Sequence, residues 1–283
     1  MYCNYGASLM LNEIRSFIKR SKKQFIKWGL ISVSYLYLSL FLFFPSINVF
    51  LQAFSGGIRP FLANLFHYNF LHALKLTILI SIFTLPLNVA FGLSMAYIIY
   101  KYKFIGKSIV LSLLDLPFSI SPIIAGLMIT LLYGKYGWIG TFFVSRGIRI
   151  IFALPGMILA STFVTLPFIV REILPILEEI GEEQEEAAKT MGANEYQVFW
   201  EITLPNIQWG LLYGIILTNA RAIGEFGAVS VISGNIIGKT QTLTLFVEQA
   251  YKEYETHSSF SAAVFLFILA LFTILFKELL IKS

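Results

Sequence analysis

Six stretches of this chain are long and apolar enough to cross a lipid bilayer, and that leaves few folds open to it. A crossing helix needs about 20 mostly apolar residues to span about 30 Å of hydrocarbon. The stretches run near Trp28–Phe54, Leu71–Tyr100, Lys107–Tyr133, Ile150–Val170, Gln208–Ser233 and Phe260–Phe276. Lipid offers backbone N–H and C=O groups no partner, so each span must be a helix that bonds to itself. The expected fold is an all-α polytopic membrane protein with six transmembrane helices. Composition agrees: 57% of the 283 residues are hydrophobic and 13% charged, against about 25% charged in a soluble domain.

Two parts are read from this pattern. Residues 1–27 form a basic N-terminal segment and residues 28–283 one membrane domain. The apolar run from Trp28 is too long for a signal peptide, and no small-residue cleavage site follows it, so it reads as a retained first span. The segment from Asn12 to Lys27 reads as a cytoplasmic surface helix, with an organellar transit peptide as the alternative. Prolines fall inside several spans, at positions 45, 86, 117, 122, 155 and 167. Such breaks survive where neighbouring helices or a cavity satisfy the freed carbonyls.

Lysine and arginine set the orientation. Arg15, Lys19, Arg20, Lys22, Lys23 and Lys27 precede the first span, the next loop has only Arg59, and the one after carries Lys101, Lys103 and Lys107. The N-terminus and the second loop are therefore cytoplasmic. The third loop, with Lys135, Arg146 and Arg149, weakens the bias without reversing it. Six spans then place the C-terminus and the long stretch from Arg171 to Asn206 inside as well.

Several chemistries lack their residues. Gly238-Lys239-Thr240 matches only the tail of a phosphate-binding loop, and its preceding Gly234 is one position too close. His67, His72 and His257 are dispersed, the single Cys3 pairs with nothing in the chain, and no nucleophile–base set stands out. A net charge of +5 gathered at span ends points to membrane orientation rather than to nucleic acid.

The fourth loop, residues 171–206, holds nine of the sixteen acidic residues, between Glu172 and Glu201. Glu182 to Met191 is rich in helix formers. Gly192 is a natural stop, and Asn194 can cap a second helix running to about Thr203. Pro205 then marks the entry to span five. Ala187, Ala188 and Met191 make a small apolar face that another protein can approach closely. A solvated acidic linker is the plain alternative. The ordered residues Glu186, Ala187 and Ala188, then Gly192, then Ile202, Leu204 and Pro205, are more specific than an acidic run.

This order resembles the cytoplasmic loop signature of permease subunits in ABC importers. The resemblance implies a type I importer permease (MetI-like) fold, with those seven residues on a short coupling helix and its flank, docking on an ATPase. Leu114 to Phe118, Val164 to Phe168 and Leu217 to Asn235 look like sulfate permeases. Leu204 to Gly214 and the Gly238–Thr240 region look like the CysW type of that family, and Gly224 to Gly227 is shared with molybdate and tungstate permeases. The implied assembly has a second, CysT-like permease, two ATPase subunits and an external sulfate-binding protein. This chain then binds no cofactor and is no enzyme; ATP and Mg are used by the partner ATPase. Sulfate or thiosulfate is the implied cargo, molybdate or tungstate the alternative. A self-powered secondary anion transporter is the rival from another class. The Phe, Ile, Tyr and Lys richness suits a plastid-encoded envelope protein or a bacterial inner-membrane protein.

Charges inside the spans mark a candidate path. Arg221 and Glu225 lie four residues apart in span five, where helical neighbours meet. Unpaired charges at mid-bilayer cost roughly 2.5–3.5 kcal/mol each on insertion scales. The pair reads either as a packing salt bridge or as Arg221 attracting an anion with Glu225 holding it in place. Asn219, Ser230 and Ser233 complete the candidate translocation path. Asp115 reads as a cap or packing acid. Leu243, Phe246, Val247, Ala250, Tyr251 and Tyr254 recur at helical spacing on an external helix, which either meets the binding protein or rests on the membrane interface or the other helices.

Overall fold

The structure, a computed structural model, describes residues 24 and 26–282. The basic cluster from Arg15 to Lys23, and Cys3, lie outside the described residues. No strand occurs among the described residues. The chain divides into two units, Met1–Gln52 and Ala53–Ser283.

The first unit is carried by helix α1, Ile26–Phe54. Pro45 does not break it. A π-helical turn, Ser39–Phe43, immediately precedes this proline, with the Phe44 N–H donating to the Ser39 carbonyl. The wider turn makes room for a ring that would otherwise meet the carbonyl four residues back. The Ser34 and Ser46 hydroxyls donate to the Leu30 and Leu42 carbonyls at 2.9 and 2.7 Å, so neither asks lipid for a partner.

The second unit is a bundle. Its helices are α2 (Ile58–Leu65), α3 (Tyr68–Lys101), α4 (Lys107–Leu114), α5 (Leu116–Ser119), α6 (Pro122–Tyr133) and α7 (Gly140–Val144). They continue with α8 (Leu154–Ile180), α9 (Glu183–Thr190), α10 (Glu195–Val198), α11 (Leu204–Ile223), α12 (Gly227–Ser233), α13 (Leu243–Lys252) and α14 (Thr256–Lys282). Helices α1, α3, α8 and the Thr256–Thr273 part of α14 are each long and apolar enough to cross a membrane. A fifth crossing is a bent pair, Glu195–Ile223 followed by Gly227–Ser233 at 52°.

The expected third span departs furthest from a single rod. It is split into α4, α5 and α6. Pro117 sits in the first turn of α5 and Pro122 opens α6, where a missing N–H costs nothing. Ser121 is extended, as a residue before proline prefers. Pro86 in α3, and Pro167 and Pro175 in α8, interrupt nothing. Helix α8 also runs ten residues past the expected end at Val170, through Arg171 to Ile180. Its added turns bury Ile173 and Leu177 against Ala96 and Ile99 of α3 and Ile207 of α11. Lys101 at the end of α3 thus meets the same corner as the start of the fourth loop.

Helix α8 packs along both α3 and α11, and α6 packs on α12. In lipid, close van der Waals contact rather than water exclusion holds helices together, so small residues mark the crossings. Gly126 of α6 is one: a Cβ there would lie 2.7 Å from the Ala228 carbonyl oxygen of α12. Backbone cannot swing aside as a side chain does. Gly126→Ala should therefore destabilise the bundle by about 1–3 kcal/mol, read as a lower thermal midpoint in detergent. Gly29→Ala in α1, with nothing within 4 Å of the added carbon, should leave the midpoint unchanged or raise it.

Candidate functional site

The fourth loop folds as two helical pieces around a glycine. Helix α9 carries Glu183, Glu185 and Glu186 in its first turn and Lys189 in its last, which suits the helix dipole at both ends. It stops in a Schellman motif. The Ala193 N–H donates to the Ala188 carbonyl and the Gly192 N–H to the Lys189 carbonyl, both at 3.0 Å. Gly192 adopts φ +95°, a conformation that side chains other than glycine's resist. Asn194 then caps α10 in a reciprocal box: its Oδ1 accepts from the Gln197 N–H at 2.8 Å, and its own N–H donates to Gln197 Oε1 at 2.9 Å. The Lys189–Glu195 hydrogen bond of 2.5 Å closes the joint. It raises the lysine's pKa and lowers the glutamate's, so both stay charged.

Pro205 does not separate this element from the fifth span. A π-helical turn, Phe199–Thr203, joins α10 to α11 without a break, as the one before Pro45 does in α1. Sequence periodicity cannot show this, because it assumes one hydrogen-bond register throughout.

The signature residues divide between two faces. Glu186, Ala187, Gly192 and Pro205 are exposed; Ala188, Ile202 and Leu204 are half-buried. Met191 is 89% exposed, and Tyr196 and Trp200 are open beside it. The acid buried here is Glu185, 4% exposed. Its Oε2 lies 2.7 Å from Lys101 Nζ and its Oε1 accepts from the Thr203 hydroxyl at 2.8 Å. Lys101 also reaches Glu182 at 3.4 Å. Sequence reasoning passed over Glu185, Lys101 and Thr203. The pairing spans 84 residues, and Lys101 stood in the sequence only as one of three loop lysines that set the orientation.

The second candidate region lies at the bend between α11 and α12. Arg221 and Glu225 are paired, Nη1 to Oε2, at 2.8 Å. They do not share one helical face, however. Helix α11 ends at Ile223, and Glu225 lies beyond it, in the turn. The glutamate is buried; its Oε1 accepts from the Ala228 N–H at 2.9 Å, capping α12, and its carbonyl accepts from the Thr244 hydroxyl at 2.9 Å. Its Oε2 receives the arginine's charge without an aligned hydrogen bond. The Arg221 side chain stays 36% exposed. Asn219, two residues before it, accepts from Ser81 of α3 at 2.5 Å. Ser230 donates to the Gly227 carbonyl, and Ser233 is fully buried, its hydroxyl accepting from the Asn235 N–H. Both serines thus serve the local backbone.

Two further expectations each resolve to one of their alternatives. Asp115 makes no cap hydrogen bond. It sits at the joint of α4 and α5 and pairs with Arg171 of α8, Nη2 to Oδ1 at 2.6 Å and Nε to Oδ1 at 3.0 Å. On α13, Leu243 and Ala250 are buried, and Phe246 and Val247 pack against the cluster of Phe70, Ala73 and Ala262. Tyr251 and Tyr254 remain exposed. Helix α3 has 34 residues, about 50 Å at helical rise. It holds Phe70 against Phe246 at one end and Lys101 against Glu185 at the other. The acidic element and α13 therefore lie at opposite ends of the bundle.

Residues 88–282 match the family described as the binding-protein-dependent transport system inner membrane component. This chain belongs to that family. The permease is similar to the sulfate transport system permease protein CysW of Synechocystis, 56% identical over 255 residues, which cover 90% of this chain and 92% of that one. It is likewise 58% identical over 253 residues to the chloroplastic sulfate permease 2 of Chlamydomonas reinhardtii, covering 89% of this chain and 69% of the relative. Its fold is that of a subunit in the crystal structure of a bacterial ABC transporter involved in import of the acidic polysaccharide alginate. There the TM-score is 0.78 at 18% identity, over 93% of this chain and 96% of the other.

The Gly192 joint has a direct test. Gly192→Val forces a branched side chain into φ +95° and should cost about 1–2 kcal/mol of local stability. Brief trypsin treatment should then cut faster at Lys189, whereas Ala187→Ser should leave the cutting rate unchanged.

Proposed function

We propose that this chain is the membrane permease of a sulfate importer driven by ATP hydrolysed on separate subunits. The observation that carries the reading is the 56% identity to a sulfate permease over nine-tenths of the chain, borne by a fold whose acidic element presents Ala187, Met191 and Tyr196 to solution. Two ATPase subunits take up that exposed face. The seven coupling residues, Glu186, Ala187, Ala188, Gly192, Ile202, Leu204 and Pro205, form the contact and its backing. A second, CysT-like permease completes the path, and an external sulfate-binding protein delivers the anion at the α13 end. The permease binds no ATP or metal of its own. Its membrane is a bacterial inner membrane or a plastid envelope membrane, both termini on the ATPase side; the chloroplastic relative supports the second setting.

Arg221 is the proposed electrostatic guide. Its guanidinium is the partly open member of a pair whose other member is fully buried, so an anion can approach the arginine but not the glutamate. Glu225 fixes the guanidinium and cancels part of its charge, which keeps anion binding weak enough for release. Asn219, tied to Ser81, orients the last turn of α11, and Ser230 and Ser233 support the turn that follows.

Reconstitution in proteoliposomes with the second permease, the ATPase and the binding protein tests both statements. Sulfate with its binding protein should stimulate ATP hydrolysis, labelled sulfate should accumulate only with ATP, and molybdate should substitute poorly. Arg221→Ala should lower uptake on the order of tenfold, the scale of an electrostatic focusing effect, while the ATPase still co-purifies. Sulfate accumulation without any ATPase would refute the importer, and loss of assembly in Arg221→Ala would make that residue structural.

A further inference from the structure

We infer that Glu185 is the positioning residue through which movement of the coupling helix reaches the transmembrane helices, acting by its paired bonds to Lys101 and Thr203. The inference rests on the reading of α9 as the ATPase-docking element. Glu185 stands apart from every other acid in the segment. It is 4% exposed, while Glu183, Glu186 and Glu195 face solution. A carboxylate withdrawn from water loses several kcal/mol of hydration unless it is paired and its remaining lone pairs are satisfied. Both conditions hold: Oε2 pairs with Lys101 at 2.7 Å and Oε1 accepts from Thr203 at 2.8 Å.

Those two bonds join three elements. Lys101 is the last residue of α3, which runs the length of the bundle. Thr203 closes the π turn at the root of α11, and α11 carries Arg221 in its last turn. The cleft beside the joint, lined by Tyr100, Leu177, Ile180 and Ile202, has room for about one water. A displacement of α9 that keeps both bonds carries the ends of α3 and α11 with it. The other ties of α9 lie at the surface, Gln184 to Asn206 and Lys189 to Glu195, where ion pairs and hydrogen bonds are weak.

The reconstituted complex gives the test, with sulfate moved per ATP hydrolysed as the readout. Glu185→Gln keeps an acceptor for Thr203 and removes the charge. It should retain the ATPase subunit and hydrolyse ATP, yet transport on the order of tenfold less sulfate per ATP, the scale of a coupling perturbation. Lys101→Glu should fail in the same way, and the double variant Lys101→Glu/Glu185→Lys should recover most of the ratio. Thr203→Val, with both charges intact, should give a smaller loss in the same direction. Three results would overturn the inference: a wild-type ratio in Glu185→Gln, no recovery in the exchanged pair, or loss of ATPase binding in the single variants, which would make Glu185 a docking or folding residue. Failure of the docking reading shows separately, as a wild-type complex that does not retain the ATPase.

Discussion

A polar group carried into hydrocarbon must bring its partner with it, and the architecture follows from how each segment meets that demand. In α1, Ser34 and Ser46 bond back to carbonyls of their own helix. At two prolines, Pro45 and Pro205, the chain shifts the ladder through a preceding π turn. Where two prolines and an aspartate fall within eight residues, the helix gives way and restarts, as α4, α5 and α6. Six spans by composition thus become four rods, a bent pair and a broken segment. In the bent and broken ones, a charge stands at the interruption.

The ion pairs obey the same rule. Lys101 pairs at the end of α3, Asp115 at the joint of α4 and α5, and Arg221 and Glu225 at the end of α11. An interrupted helix leaves carbonyls and amides unpaired, and a charged side chain placed there can satisfy backbone and counter-charge together. Glu225 shows this most fully, accepting the Ala228 N–H with one oxygen and facing Arg221 with the other. Exposure separates the pairs by use. Asp115 and Arg171 are both open, and such pairs contribute little. Glu185 and Glu225 are buried, and removing either partner would strand a charge.

Much of this was legible in the sequence, because it depended on local chemistry. Four of the six spans, the Gly192 stop and the Asn194 cap each follow from chemistry within one segment. What escaped was relational. Glu185 and Glu186 are indistinguishable as neighbours in an acidic run, and only the arrival of Lys101 from a distant helix end buries one and exposes the other. The Arg171–Asp115 pair spans 56 residues for the same reason. The overlong fourth span was missed because Arg171 and Glu172 look like the end of a membrane segment. Helical hydrogen bonding does not stop where hydrophobicity does, and Ile173 and Leu177 still have α3 and α11 to pack against.

The bundle is held unequally along its axis. At the end where α9 meets α3, a buried carboxylate is bound twice. Midway, helices are linked by neutral contacts such as Asn88 to Thr165 at 2.7 Å, which in membranes are worth about 0.6 kcal/mol on average. Around them Asn88 Oδ1 and the hydroxyls of Thr84, Ser161 and Thr218 are buried without partners, so a small helix shift there can exchange one hydrogen bond for another at little net cost. A transporter needs this contrast. A stiff joint without an adaptable middle would transmit force to a bundle unable to yield. On the proposed reading of α9, an adaptable middle without the joint would let that helix move alone while the path stayed as it was.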